Sequence, residues 1–314
     1  MPDATASSIG EFGLIDLVVA RLGTSAAVLL GPGDDAAVVA APDGRVVATT
    51  DVLVEGVHFR RDWSSGYDVG CKAAAANLAD VAAMGGTATA LLVGLAAPGD
   101  LPVEWATALA DGLRDEAARV GAVVVGGDTV SCDRVVVSVT ALGDLAGRAP
   151  VTRAGARPGQ QVVLAGTVGS SAAGLALLRA GKRQGPLVDA HRRPSPPHQL
   201  GPVLARLGAT AMCDVSDGLV QDLGHLARAS GVRVVVEATL LPLPPGVGLQ
   251  DALTGGEDHA LVAVLQAGTA LPDGVLRIGR VEPGEGVHVT GAPDAVASGW
   301  QHFAEDGTSA SSSP

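Results

Sequence analysis

Acidic residues recur in this chain where short apolar segments end or where helices turn, and this placement suggests a metal site. The glycine-rich turn GPGDDAAVVA, residues 31–40, holds two aspartates side by side. Further along, VVATTD, NLADVAAM, VVVGGD, CDVSDG and GGED each place a carboxylate beside small or apolar residues. The acidic residues concerned are Asp34, Asp35, Asp51, Asp80, Asp128, Asp214, Asp217, Glu257 and Asp258.

If these carboxylates converge in the fold, they need a positive partner. Two like charges about 4 Å apart repel by roughly 4 kcal/mol at an effective dielectric of 20. Several such pairs would rival the roughly 5–15 kcal/mol that stabilise a domain. Either some carboxyl groups are protonated or divalent cations lie among them. Oxygen ligands without His or Cys favour Mg²⁺ over zinc, so we expect magnesium and, with it, phosphate chemistry.

Several of these residues also have a simpler interpretation. Asp34 and Asp35 could be turn formers, because aspartate stabilises turns through its own backbone. Asp128 could be an ordinary turn residue after its apolar segment. Asp217 could be the N-cap of a helix that begins at Gly218. Only the joint occurrence of the motifs favours a shared site.

Asp80 has the weakest structural explanation. It shares one face of an alanine-rich helix with Asn77 and Met84, and that face is otherwise apolar, so an unpaired carboxylate there would be costly.

The sequence has no P-loop motif to bind phosphate, since Lys182 is followed by Arg183 rather than by Ser or Thr. Phosphates must then be held by metal ions and backbone amides.

Composition narrows the class of protein. The net charge of −12 over 314 residues argues against nucleic acid or a membrane surface as a partner. Hydrophobic residues make up 47% but aromatic residues only 2%, so the cores must be built from Ala, Val and Leu. Cys71, Cys132 and Cys213 are too few and too far apart for a disulfide or zinc framework. The first residues, MPDATASSIG, lack a signal-peptide pattern, so we expect a cytoplasmic location.

Alternating strands and helices must position the acidic residues. The spacing of apolar residues predicts helices over 11–22, 69–84 and 102–121, and strands near 36–40, 45–50, 88–97 and 134–145, with a strand and turn over 122–130. A turn-rich stretch follows, and we place a domain boundary after Gly147. The second half alternates again, with strands near 161–166, 209–215, 232–237 and 259–265 and helices from Ser171, over 202–208 and after Gly218. This pattern predicts an α/β (α+β) fold with two domains, 1–147 and 148–314, and a disordered tail from about residue 305.

The motifs occur together in an order that resembles a known family. GPGDDAAVV, TTDVLVEGVHF, NLADVAAMGG, VGGDT, TRAGARPGQ, GTVGSSAAGLALL, CDVSDGL, GGEDHALV and GWQHF follow one another between residues 9 and 303. The chain is therefore similar to the thiamine-monophosphate kinases, members of the ATP-binding superfamily that also holds the aminoimidazole ribonucleotide synthetases. This resemblance implies two domains, each a mixed β-sheet covered by helices. The first would bind ATP and Mg²⁺ and form a homodimer through its sheet, and the second would complete the nucleotide and substrate site.

The resemblance also implies an activity, the ATP-dependent phosphorylation of thiamine monophosphate, and a role for individual residues. Mg²⁺ ligands would be Asp34, Thr49, Thr50, Asp51, Asp80, Asp128, Asp214 and Asp217. ATP contacts would come from Gly127, Asp128, Arg153 and Ser216. Contacts to the thiamine part would come from His58, Glu257 and Trp300. One position departs from the family pattern: Ala110 stands two residues before Gly112 where an aromatic residue is common, so an adenine-stacking contact is missing or supplied elsewhere.

On residue type alone, several of these roles have alternatives. His58 could be a half-buried structural histidine, Trp300 could serve C-terminal packing, and Arg153 could be a solvated turn residue. GTVGSSAAGL could bind an anion at a helix N-terminus or could simply begin a helix.

Three other functions stay open at this point. Selenophosphate synthetases and hydrogenase-maturation proteins share the aspartate-rich ATP site, but the first carry a reactive residue near the N-terminus and the second a C-terminal Cys. This chain has no Cys before Cys71 and none after Cys213, which disfavours both. A non-catalytic divalent-cation module is the third. For a kinase, the mechanism that we expect is direct in-line transfer assisted by several Mg²⁺ ions, with no covalent nucleophile.

Overall fold

A computed structural model describes residues 4–32 and 36–292, except for the side chains of residues 11 and 12. The predictions for Asp34, Asp35, Trp300 and the tail lie outside the described residues. The helices of the described part are α1 Ala6–Val19, α2 Gly66–Ala83, α3 Val103–Ala118, α4 Ser170–Arg179, α5 Pro186–Arg192, α6 Leu200–Arg206, α7 Leu219–Ser230 and α8 Leu249–Thr254, with a 3₁₀ turn at Ala238–Leu240. The strands are β1 Val28–Leu30, β2 Val38–Val39, β3 Val47–Val54, β4 Thr87–Ala97, β5 Val123–Ser131, β6 Val136–Asp144, β7 Gln161–Ala165, β8 Ala211–Val215, β9 Arg233–Glu237, β10 Ala260–Leu265, β11 Val275–Glu282 and β12 Gly286–Thr290.

The first large sheet is mixed and has the strand order β3-β6-β4-β5. β6 pairs antiparallel with both β3 and β4, whereas β4 and β5 are parallel because α3 connects them. Alternate residues of β6, such as Val137 and Val139, are fully buried on the face that α2 and α3 cover. On the opposite face, large apolar side chains such as Val52 and Val130 are 46% and 52% exposed.

Glycines let α2 and α3 pack against each other at close range. A side chain at Gly70 of α2 would collide with the carbonyl of Leu109, and one at Gly112 of α3 would collide with the carbonyl of Tyr67. Ser65 caps the N-terminus of α2, since its Oγ accepts a hydrogen bond from the Asp68 N–H at 3.2 Å. The close helix contact and the N-cap therefore fix the position of the α2 backbone, from which its polar side chains project.

The second large sheet has the order β12-β9-β11-β7-β10-β8, with β12 parallel to β9 and the other neighbours antiparallel. One face packs against α7 and α8. The other face packs against α6 and against Ala82 and Ala83 at the end of α2. A side chain at Gly201 of α6 would collide with the carbonyl of Ala82. Because α2 has neighbours on both sheets, small residues are needed along nearly its whole length, and this explains its run of alanines.

The predicted fold class, an α/β (α+β) fold with two mixed sheets and helices, is confirmed. The boundary after Gly147 stays a prediction: each large sheet lies on one side of it, but the core on one face of the second sheet includes Ala82 and Ala83 of α2. No helix in the described ranges combines the length and apolarity that a membrane crossing requires.

Some element predictions were wrong in detail. The first helix begins at Ala6 with a kink at Gly10, whose φ is 75°. Residues 126–128, predicted as a turn, continue strand β5, because a bulge opposite Leu91 and Leu92 absorbs one residue and lets pairing resume. The short elements α5, α8, β11 and β12 were not predicted, since their apolar residues are too few to give a clear period.

Candidate functional site

The first half of the site is the face of β3 that looks toward α2. Thr49 donates a hydrogen bond from its Oγ1 to the Asp80 Oδ2 at 2.6 Å. The backbone N–H of Asp51 donates to the Oδ1 of Asn77 at 3.1 Å, while the Asn77 amide donates to the carbonyl of Ala73 at 2.9 Å. Asn77 is fully buried, so its amide joins the strand to the helix. This arrangement holds two half-buried carboxylates, those of Asp51 and Asp80, between a strand and a helix.

The second half of the site belongs to the loops that flank β8 and β10. The N–H of Glu257 donates to the carbonyl of Ser216 at 2.8 Å, and the N–H of His259 donates to the carbonyl of Val215 at 3.0 Å. Glu257 and His259 have φ values of 66° and 53°, a left-handed backbone that is uncommon outside glycine. The turn brings the Nδ1 of His259 to 3.1 Å from the Oδ2 of Asp214.

The two halves meet, and their charges act on one another. Burial raises the pKa of Asp51, the charges of Asp214 and Asp217 raise it further, and His259 opposes them. Burial raises the pKa of Asp80 to about 7, with Asp214 and Asp51 adding to the effect and the Thr49 hydrogen bond opposing it. Four predicted ligands from both sheets therefore share one electrostatic environment at the seam between them.

His259 supplies a positive partner within this acidic group. Burial lowers the pKa of His259, but the hydrogen bond to Asp214 and the charges of Asp51 and Asp80 outweigh it, so the net pKa is raised. The sequence analysis missed this residue. The signal was available in GGEDHALV, where a histidine directly follows two acidic residues at the entry to an apolar strand.

The carboxylates at the seam suit Mg²⁺ better than they suit a metal ion that needs a preformed set of protein ligands. Within the described ranges, no three His, Cys, Asp or Glu side chains are grouped as a ready coordination site. Mg²⁺ commonly keeps several waters and binds through one or two carboxylates together with substrate phosphates. The carboxylates at the seam suit a metal ion that arrives with a nucleotide, and their role as ligands stays a prediction.

Two other predicted ligands lie on the opposite face of the first sheet. Asp51 is in register with Val139, Val93 and Gly127 across the four strands, whereas Asp128 is in register with Gly94 one residue further. Because side chains alternate along a strand, Asp128 and Thr50 point away from α2. The hydroxyl of Thr50 donates to a carbonyl of β6 at 3.0 Å. Asp128 is exposed and lies in strand β5, so the interpretation of it as a turn residue was wrong.

Gly127 and Asp128 line a cavity of about 820 Å³, whose wall includes residues of this face such as Thr140 and also residues of α1 and of α3, the helix on the α2 side of the sheet. Apolar side chains of both helices form much of its wall, including Leu14, Val18 and Leu113, and Ala110 lies among them. Pro32 and Ala36, which flank the segment that contains Asp34, also line it. The position where the family pattern has an aromatic residue therefore faces open space that a flat apolar group can fill.

A buried polar group joins the predicted substrate contacts. The Nζ of Lys72, on α2, lies 3.0 Å from the Oε1 of Glu257 and donates to the carbonyl of His58 at 3.2 Å. The Oε2 of Glu257 lies 3.7 Å from the Nδ1 of His191, which also lies 3.0 Å from the Oγ of Ser171. Burial raises the pKa of Glu257, but Lys72 and His191 outweigh it, so the net pKa is lowered. Lys72 was missed, although a lysine within an apolar helix is as unusual as Asp80.

Carboxylates of the protein itself accept hydrogen bonds from backbone N–H groups at the N-terminal ends of two helices. The carboxylate of Asp258 accepts hydrogen bonds from the N–H groups of Gly169 and Ser171 at 2.7 and 3.0 Å, so the N-terminus of α4 already has its anion. The Oδ2 of Asp222 accepts from the N–H groups of Asp217 and Gly218 at 3.0 and 3.2 Å.

These contacts decide between the alternatives for the two motifs. The N-cap of α7 is Gly218 and its side-chain acceptor is Asp222, so the N-cap interpretation of Asp217 was wrong. GTVGSSAAGL begins a helix at which Asp258 binds the N–H groups of Gly169 and Ser171. Arg153 is exposed and lowers the pKa of Asp222 through its charge, against a larger effect of burial that raises this pKa to about 7.

Comparison with known proteins gives this arrangement a family. The N-terminal domain of AIR synthase related protein matches residues 33–145, and the C-terminal domain matches residues 157–290. Thiamine-monophosphate kinase from Mycobacterium tuberculosis is 48% identical over 319 residues, which cover 96% of this chain and 94% of that protein.

Solved structures agree with the sequence relatives. Thiamine-monophosphate kinase from Stenotrophomonas maltophilia K279a superposes with a TM-score of 0.79 at 35% identity, over 90% of this chain and 97% of that one. AaThiL complexed with AMPPCP and TMP superposes with a TM-score of 0.76 at 33% identity, over 94% and 97%. This chain therefore belongs to the thiamine-monophosphate kinase family of the AIR synthase related proteins.

Proposed function

We propose that this protein transfers the γ-phosphoryl group of ATP to thiamine monophosphate, which yields thiamine diphosphate. The observation that carries the proposal is the meeting of Asp51 and Asp80 with Asp214 and Asp217 at the seam of a chain that is 48% identical to a thiamine-monophosphate kinase. A solved relative was complexed with AMPPCP and TMP, and both ligands carry phosphates. The acidic seam suits two phosphate-bearing molecules that share metal ions.

The chemistry of the acceptor does not require a general base. A phosphate monoester has a second pKa of about 6 and is largely ionised at neutral pH, so it is already nucleophilic. The barrier is the repulsion between two polyanions, which Mg²⁺ ions lower by neutralising charge and aligning the reacting groups. Asp34, Thr49, Thr50, Asp51, Asp80, Asp128, Asp214 and Asp217 are the proposed ligands. Transfer is direct and in line, without a phosphoenzyme.

The remaining roles divide between the two proposed domains, residues 1–147 and 148–314. The cavity beside Gly127 and Asp128 is the proposed site of the adenosine part of ATP, with Arg153 and Ser216 contacting its phosphates. His58, Glu257 and Trp300 are the proposed contacts to the thiamine part. Glu257 and the carbonyl of His58 share Lys72 as a partner, and this supports a common location for two of the three proposed contacts.

The exposed face of the first sheet is the proposed homodimer interface. Val52, Leu92 and Val130, on three different strands, are 46%, 38% and 52% exposed on this face. Exposed apolar side chains on a sheet face are typical of an interaction surface, and a second copy of the chain offers the same face. The proposed location is the cytoplasm.

The direct test is an assay with purified protein, ATP, Mg²⁺ and thiamine monophosphate. We expect thiamine diphosphate to form, to disappear when EDTA removes Mg²⁺, and to be absent when unphosphorylated thiamine replaces the acceptor. A folded protein that forms no thiamine diphosphate would overturn the proposal. Calorimetric titration then separates the non-catalytic alternative, in which Mg²⁺ binds equally well with and without an ATP analogue.

Stereochemistry tests the mechanism independently of the rate. With ATP that is chiral at the γ-phosphorus, a single in-line transfer inverts the configuration. Net retention would require two transfers and hence a phosphoenzyme, which contradicts the proposed direct step.

A further inference from the structure

Lys72 occupies a place where a lysine is costly. Its side chain is only 4% exposed, and a buried ammonium group is unfavourable unless it is paired and hydrogen-bonded. Both conditions are met, by the carboxylate of Glu257 at 3.0 Å and by the carbonyl of His58 at 3.2 Å. The chain has only one other lysine, Lys182, which is exposed. A buried lysine in a chain that uses lysine so rarely indicates a specific task.

The two partners of Lys72 come from different halves of the molecule. His58 lies in the turn that follows β3, and Glu257 lies in the loop before β10. The ammonium group stands on α2, which packs against both sheets. One cation thus fixes the distance between a turn of the first half and a loop of the second half.

The backbone of Glu257 is constrained, so its carboxylate depends on a cation that stands at a fixed place. Its φ of 66° holds the loop in a left-handed conformation, and its N–H is bound to the carbonyl of Ser216. The nearby His191 is buried and neutral at physiological pH, since burial and Lys72 lower its pKa to about 3. Lys72 therefore supplies the main positive charge beside the carboxylate. The side chain of Glu257 is still 31% exposed, so it can be approached from the seam by a cationic heterocycle or an amino group.

We propose that Lys72 is a positioning residue for the acceptor substrate, which holds the Glu257 carboxylate and the His58 turn at a fixed separation across the seam. The inference rests on the proposed function, because it assigns Glu257 and His58 to the acceptor. Lys72 itself does not need to touch the acceptor. Its loss affects acceptor binding through Glu257, and leaves the nucleotide cavity beside Gly127 unchanged.

Three variants test the inference against a purely structural ion pair. Lys72→Met removes the cation, Glu257→Gln removes the anion, and the double variant removes both charges. We expect Lys72→Met to raise the KM for thiamine monophosphate at least tenfold, with the KM for ATP within twofold of wild type. We expect the double variant to match Glu257→Gln within twofold, because Lys72 acts through Glu257. Lys182→Met is the matched control and should equal wild type.

The double variant keeps the test decisive if Lys72→Met does not fold, since it leaves no buried charge without a partner. The inference is overturned if the KM of the double variant for thiamine monophosphate exceeds that of Glu257→Gln by the full effect of Lys72→Met. If Lys72→Met does not fold, a tenfold excess of the double variant over Glu257→Gln would overturn it. So would equal increases in KM for both substrates, which a structural role produces. If wild type and Lys182→Met form no thiamine diphosphate, the proposed function fails. If they do and the KM values contradict the pattern above, only the role of Lys72 fails.

Discussion

The two faces of the first sheet hold acidic residues in opposite environments. On the inner face, Asp51 lies against α2 and meets Asp214 from the second sheet, and burial and neighbouring charges raise its pKa. On the outer face, Asp128 is exposed, accepts a hydrogen bond from the next residue at 2.9 Å and borders an apolar cavity. β3 and β5 are only three strand spacings apart, about 14 Å.

This difference shows that strand alternation, more than distance along the chain, decides on which face of the sheet each polar residue lies. Thr50 and Asp51 are neighbours in the motif TTD, yet one points to the outer face and the other to the inner face. The inner face concentrates charge that a metal ion would relieve. The outer face combines apolar surface with one accessible carboxylate. We infer that the inner face holds the crowded carboxylates of the proposed metal site, whereas the outer face adds Thr50 and Asp128 to the proposed ligands and also serves nucleotide binding and dimerisation.

The largest expected effect comes from Asp51→Asn on the inner face. We expect kcat to fall at least 10³-fold, about 4 kcal/mol of transition-state stabilisation, because a charged ligand of the proposed metal site is lost. The free energy of unfolding in EDTA at pH 7 should stay within about 1 kcal/mol of wild type or rise. The raised pKa means that the ionised form of Asp51 is unfavourable in the folded state without metal.

Asp133→Asn is the matched control for this variant, since Asp133 is exposed at the turn between β5 and β6. Its activity and stability should equal those of wild type. If Asp51→Asn loses stability in proportion to activity, the inner-face carboxylate is structural, and the comparison between the two faces loses its functional meaning.

Much of this arrangement could be predicted from the sequence, and the limits have physical causes. Asp51 and Asp214 lie within the apolar strands β3 and β8, and Asp80 lies on an apolar helix, so the alternation of strands and helices already suggested that they could converge. The sequence could not show that Asp128 lies on the other face, because a bulge in β5 sets the register there. His259 and Lys72 were missed since their pairing depends on a left-handed turn and on a contact between distant segments.

The next largest effect is expected on the outer face. Val52→Glu places a charge on the proposed interface, and two-fold symmetry brings two copies of that charge together. We expect the dimer to dissociate at least 100-fold more readily, so that sedimentation gives the 31.0 kDa monomer instead of twice this mass. Folding should persist because Val52 is 46% exposed in the single chain.

Leu276→Glu is the control for surface charge, since Leu276 is 48% exposed on β11 of the other sheet. It should leave the mass of the assembly unchanged. A wild-type protein that sediments as a monomer at all concentrations would contradict the proposed homodimer and would leave the apolar outer face to another partner.

A smaller effect concerns the pH dependence of stability on the inner face. The pKa of Asp80 is about 7 in the folded protein against an ordinary value of 3.8. Between these values the folded state holds a proton that the unfolded chain has released, so the free energy of unfolding falls as the pH rises. Asp80→Asn removes this contribution, which is at most about 1.4 kcal/mol per pH unit.

Urea denaturation in EDTA at pH 5, 6 and 7 measures this difference in slope. We expect the curve of the variant to be flatter than that of wild type, by about one proton at most. Added Mg²⁺ should flatten the wild-type curve as well, because a cation replaces the proton. Equal slopes for both proteins in EDTA would show that Asp80 titrates normally and that the inner face is not crowded with charge.

The smallest effect is expected from Ala110→Tyr in the cavity beside Gly127 and Asp128. Ala110 is 2% exposed on α3, but it borders about 820 Å³ of open space in which an aromatic ring has room. Stacking of a nucleic-acid base on an aromatic side chain contributes roughly 1–3 kcal/mol, and the aliphatic wall of Leu14 and Val18 already provides part of this contact. We therefore expect the KM for ATP to fall only about fivefold, with the KM for thiamine monophosphate unchanged.

Ala118→Tyr, on the exposed side of the same helix, controls for the added ring. A KM for ATP that stays constant in Ala110→Tyr would place the purine outside this cavity. The outer face would then lose its role in purine binding, and the division of tasks between the two faces would have to be redrawn.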